Sequence, residues 1–122
     1  MNHEILVVVA DELTRRAFQR SLTDHGHTPV FAGGPDEAIA VASARNLRLC
    51  VIDLQGSPVL AATELAEELL ATVPAARAII IHDPDDSWHA DGEEPGQIQF
   101  LQRPFSMFEF ISSVDHALSV EL

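Results

Sequence analysis

Residues 49–53 read Leu-Cys-Val-Ile-Asp, four apolar side chains in succession closed by a carboxylate. The run is too short for a helix and too continuously apolar for a strand with one face in water. It reads as a parallel strand covered on both faces, with Asp53 at its carboxyl end. In open α/β sheets the crevice outside the strand ends is where ligands bind. Asp53 is therefore the first candidate functional residue.

Working outward, Ile5–Ala10 and Ala78–Ile81 are runs of the same kind, and shorter strands are expected at Thr28–Phe31 and Ile98–Gln102. Between them apolar residues recur at helical spacing: Leu13, Ala17, Phe18, Ser21 and Leu22, then Ala38, Ile39 and Ala42, then Leu65, Leu69 and Leu70. Gly26 stops the first helix, Gly33-Gly34-Pro35 opens the second, and Pro74 closes the third. Ser106 and Glu109 have the spacing of a capping box ahead of Phe110, Ile111, Val114 and Leu118. Alternating strands and helices predict an α/β domain over residues 1–122, a doubly wound five-stranded parallel sheet of flavodoxin-like order 2-1-3-4-5.

One stretch breaks the pattern. Asp83–Gly96 holds two prolines, two glycines and six carboxylates with almost no apolar face, where a fourth crossover helix belongs. The expectation is an eroded fourth helix, a solvated acidic loop or single turn. Within it, Trp88 either folds back over the strand ends or offers a partner an aromatic contact. His89 and the nearby acids match no compact metal-ligand spacing.

A chain of 122 residues with 47% hydrophobic and 21% charged residues can bury a core without disulfides. Its net charge is −12 and all 7 basic residues are arginine, so no face offers the positive field that nucleic-acid binding requires. The lone cysteine, Cys50, falls mid-strand as a small buried side chain and fits a reducing compartment. No basic region precedes Ile5–Ala10, and that run is too short for a signal core or membrane span. A cytoplasmic domain that meets neither membrane nor nucleic acid is expected.

At the predicted strand ends stand Asp11 and Glu12, Asp53, His82 and Asp83, and Arg103. Such a cluster can hold a hard divalent cation, and a carboxylate within it can act as a nucleophile. Asp11 reads equally well as a helix N-cap. A flavin site fits poorly, because Asp11-Glu12-Leu13-Thr14-Arg15 has no glycine to wrap a phosphate and two acids to repel one.

The placement of Asp53, with Phe100-Leu101-Gln102-Arg103-Pro104-Phe105 before a capped final helix, resembles the receiver domain of bacterial two-component response regulators over essentially the whole chain. The resemblance implies that Asp53 occupies the phosphoacceptor position. It also implies that Gln55 offers a backbone carbonyl to Mg²⁺, that Phe100 is the switch aromatic, and that a cis peptide precedes Pro104. In that family an acidic pair after the first strand holds the metal, and a Thr or Ser and a Lys read the phosphorylated state.

Here Val9 and Ala10 stand where the acidic pair belongs, with Asp11 and Glu12 one step late. His82 replaces the Thr or Ser, and Arg103 replaces the Lys. Arg103 carries a planar fork suited to carboxylates, so it can clamp Asp53 directly. The expectation is an atypical receiver acting as an interaction module, with weak or absent Mg²⁺ binding and no enzymatic activity of its own. The alternative is a rewired phosphoacceptor using Asp53, Asp11 and Arg103, with Asp11, Asp53 and Gln55 around the metal and Asp83 a further candidate ligand. Implied partners are a sensor histidine kinase or other signalling protein, a second copy of the chain, and an output domain in a longer chain. A dimer would use the first and last helices, or an altered form of the face made by the fourth helix, fifth strand and last helix.

Overall fold

The computed structural model describes residues 4–84 and 97–119. In chain order the elements are β1 (Glu4–Val9), α1 (Glu12–Asp24), β2 (Thr28–Ala32), α2 (Pro35–Ala44), β3 (Leu49–Asp53), α3 (Val59–Thr72), β4 (Arg77–His82), β5 (Ile98–Gln102) and α4 (Met107–Ser119). All strand pairs are parallel and the sheet order is β2-β1-β3-β4-β5. This is the doubly wound order read from the sequence. The expectation of an eroded fourth crossover helix, and the readings of Trp88 and His89, fall on residues 85–96, outside the described residues.

Strand alternation sorts the core into two layers. Leu6, Val8, Cys50, Ile52, Ala78 and Ile80 point toward α2 and α3, where they meet Ala38, Ala42, Leu65 and Leu69. Ile5, Val7, Leu49, Val51, Ile79 and Ile81 point the other way and meet Phe18 and Leu22 of α1 and Phe110, Ile111 and Val114 of α4. Every residue of β3 is buried, which is why its sequence shows no polar alternation.

Helix ends follow local chemistry. Asp11 caps α1, its Oδ2 accepting the Thr14 N–H at 2.9 Å and the Thr14 hydroxyl at 2.6 Å. Gly26 takes a φ of 82° just past that helix, where a Cβ would be strained. Pro35 opens α2. Ser106 and Glu109 form a reciprocal capping box at the start of α4, each side chain bonding the other's backbone N–H at 2.9–3.0 Å.

Some details differ from the sequence reading: β2 runs one residue further, to Ala32, and β4 spans Arg77–His82. β1 ends at Val9, and Ala10 is exposed beyond it, because the chain must already turn for Asp11 to cap α1. Leu13 and Ala17 were expected on the buried stripe of α1 but are exposed, Leu13 by 75%, because both line the cleft beside Asp53 and Phe105.

Candidate functional site

Asp53 ends β3 with its side chain 1% exposed, and the residue beside it on β1 is Val9. On the other side Arg103, just past β5, reaches back over the strand ends. Its Nη1 donates to Asp53 Oδ1 at 2.7 Å and its Nε donates to Asp83 Oδ1 at 2.7 Å. The main chain fixes the base of this arm, as Arg103 N–H donates to His82 O at 2.8 Å and the Arg103–Pro104 peptide is cis. Two carboxylates therefore share one guanidinium across the carboxyl ends of β3, β4 and β5.

Burial raises the Asp53 pKa above the ordinary carboxylate value. The hydrogen bond and charge of Arg103 oppose the rise, while Asp83 and Asp11 add to it. Asp83, exposed and bonded to the same guanidinium, is held below the ordinary value by that hydrogen bond and then by the Arg103 charge. Thr14 lowers Asp11 through its side-chain and backbone hydrogen bonds. Burial works against the Arg103 cation, but the hydrogen bonds and charges of its two acids prevail and raise its pKa.

The remaining candidates lie around this pair. His82 ends β4, half-buried, with its ring edge-on to Phe100 at 6.1 Å and Nδ1 3.2 Å from Asp83 O. Phe100 packs on the α2/α3 layer of the core. Gln55 is exposed in the turn after β3, beside Gly56 with its φ of 81°.

Asp53 and Gln55 stand between two clefts. One, of about 450 Å³, is lined by Ala10, Asp11, Gly33, Gly34 and Ser57 among others. The other, of about 400 Å³, is largely apolar and is walled by Leu13, Ala17, Phe18, Pro104, Phe105 and Met107, with Arg103 at its edge. The structure thus brings Asp11, Asp53 and Gln55 to one cleft, and Asp53, Gln55, Arg103 and Pro104 to the other. His82 and Phe100 line neither. Asp83, a further metal candidate from its position directly after β4, instead shares the Arg103 guanidinium with Asp53.

Mg²⁺ asks for near-octahedral oxygen ligands, commonly one or two carboxylates with waters. Val9, buried beside Asp53, and Ala10 carry no side-chain oxygen. Asp11 is engaged with Thr14 and Asp53 with Arg103. Among the described residues no group of three or more His, Cys, Asp and Glu side chains is arranged to hold a metal ion. In this arrangement the residues do not fit the ion that the fold implies.

No family model matches the sequence. No curated protein matches it either. Solved structures do. NtrX from Brucella abortus, crystallised in complex with ADP, superposes with a TM-score of 0.80 at 26% identity, covering 97% of this chain and 26% of that one. A response regulator from Thermotoga maritima gives 0.80 at 16% identity, covering 98% of this chain and 100% of the other. The chemotaxis protein CheY4 of Vibrio cholerae gives 0.78 at 18%, covering 97% and 100%. The chain spans about a quarter of the NtrX chain and the whole length of the other two. It has the receiver fold of response regulators.

Proposed function

We propose that this receiver-fold domain is a signalling interaction module whose state is set by protein partners rather than by Mg²⁺-dependent phosphorylation of Asp53. The observation that carries the reading is the 2.7 Å Arg103–Asp53 ion pair on a side chain only 1% exposed. Arg103 keeps the positive charge of the Lys it replaces but adds a planar fork that clamps Asp53 directly. Val9 and Ala10 in place of an acidic pair point the same way. The domain has no catalytic residue of its own in this reading. It works in the cytoplasm, and its partners are a sensor histidine kinase or other signalling protein, a second copy of the chain, or an output domain in a longer chain. No helix of the described residues is long and apolar enough to cross a membrane.

One observation favours a second reading. Asp11, Asp53 and Gln55 line one cleft of about 450 Å³. A cation there would recruit Asp11 away from Thr14 and Asp53 away from Arg103, leaving Asp53 as a rewired phosphoacceptor.

The test is a backbone-amide NMR titration of wild type and Asp53→Asn with millimolar Mg²⁺ and then beryllofluoride, a mimic of the aspartyl phosphate. The interaction-module reading expects neither addition to shift residues 9–11, 53–57 or 100–104. Saturable shifts there that vanish in Asp53→Asn would replace it with the phosphoacceptor reading.

A further inference from the structure

Among the described residues, three of the four large apolar side chains left in water gather where α1 and α4 begin. Leu13 is 75% exposed, Phe108 80% and Met107 37%, and Leu13, Ala17 and Met107 border one cleft. Apolar groups collected in one patch mark a contact surface, whereas single ones scattered over a protein do not. The two helices pack side by side, Phe18 of α1 stacking on Phe110 of α4 with ring centroids 4.4 Å apart. Both start at the carboxyl ends of the strands, and their outer flanks carry the same order of residue types. At the helical spacing i, i+4 and i+7, α1 presents Leu13, Ala17 and Arg20, and α4 presents Phe108, Ser112 and Asp115, all of them exposed. The α4 flank lies toward α1, because Asp115 comes within 3.5 Å of His27, just beyond α1. Each flank reads apolar, small, charged, and the two charges are opposite.

We propose that this α1/α4 face binds a second copy of the chain about a two-fold axis running along the helices, with α1 of each protomer against α4 of its partner. The inference rests on the interaction-module reading and gives the second copy its surface. A two-fold interface uses the same patch on both sides, so the patch must be complementary to itself. Here its two halves are. Leu13 and Phe108 close the apolar ground between protomers, Ala17 and Ser112 are small enough for the helices to approach, and Arg20 of each protomer reaches Asp115 of its partner. Those charges are available. Among the described residues Arg20 makes no ion pair, and the Asp115 side chain is 62% exposed with only the His27 contact. Arg16 and Glu12 stand nearby and are already paired with each other at 3.6 Å. A net charge of −12 on each copy repels the other, so a face that self-associates must bring positive charge of its own. Three of the 7 basic residues, Arg15, Arg16 and Arg20, lie on α1.

Sedimentation equilibrium of the 122-residue chain at physiological ionic strength, from micromolar to millimolar concentration, tests this by exchanging charges. Wild type is expected to approach the mass of two copies as concentration rises. Arg20→Glu and Asp115→Arg each set like charges against one another at both ends of the axis, and each is expected to weaken dimerisation by about tenfold or more. An equimolar mixture of the two variants is expected to recover it, because every exchanged charge then meets an opposite one, and the double variant likewise. Leu13→Ala combined with Phe108→Ala, both on side chains mostly in water, is expected to give a monomer with the urea midpoint of wild type. A wild type that stays monomeric throughout, a dimer indifferent to these substitutions, or single variants that fail to recover on mixing would overturn the proposal. The readout is mass, with neither Mg²⁺ nor beryllofluoride present. A monomer therefore leaves the interaction-module reading to its other partners, and a phosphoacceptor result in the earlier titration leaves the dimer standing.

Discussion

At Asp53 a carboxylate is held where water scarcely reaches, and Arg103 supplies both a hydrogen bond and a charge against that cost. Removing one partner of such a pair leaves the other buried and uncompensated. Arg103→Ala is expected to destabilise the fold by about 3 kcal/mol in urea unfolding and to raise the Asp53 pKa further. Asp53→Asn should behave differently, because Arg103 retains Asp83. Folding raises the Asp53 pKa, so between the unfolded value of about 4 and the higher folded value the native state binds more protons than the unfolded state. The contribution of this group to wild-type stability falls as pH rises through that window, and the loss is complete above the folded value. The stability of Asp53→Asn relative to wild type should therefore increase with pH across the window and level off above it, reaching about 1 kcal/mol on the stabilising side of neutral. Urea midpoints at a series of pH values check this; a flat or falling difference would refute the raised value. Asp83 has the opposite sign: its lowered pKa adds stability above the unfolded value, lost as pH falls through the folded one.

Among the elements, α4 has the most explicit start. Ser106→Ala removes one half of its capping box and should cost about 1 kcal/mol in thermal or urea unfolding, with no change at Asp53. That box was legible because it is a contact across three residues, written in one short stretch of sequence. The same holds for Pro35 at the start of α2 and Gly26 past α1. The strands were legible because full burial leaves uninterrupted apolar runs, as in Leu49–Ile52. The site was legible only in part. That Asp53 and Arg103 approach one another follows from strand ends converging, but the division of Arg103 between partners 50 and 20 residues away depends on side-chain rotamers that no local pattern encodes. Leu13 was misplaced for a similar reason: helical spacing identifies a stripe, not where a cleft opens beside it.

For the molecule as a whole, charge and packing give separate expectations. A net charge of −12 opposes compaction, and salt shortens the reach of that repulsion from about 30 Å at 0.01 M to about 8 Å at 0.15 M. The melting temperature should therefore rise over this range, and a fall would mean that specific ion pairs outweigh the net field. Cys50 sits in the middle strand of the sheet, and burial pushes its thiol up to about 12. It should react with a thiol reagent only through global opening, so its labelling rate should track the unfolding equilibrium as urea rises. A last consequence concerns the side chain that forms a partition between two clefts. A guest on the Asp11 side and one on the Phe105 side meet the same Asp53 carboxylate, so each alters the charge and hydrogen bonding that the other finds there. Their affinities cannot be independent, and whatever factor the first tenant imposes on the second, the second must return to the first.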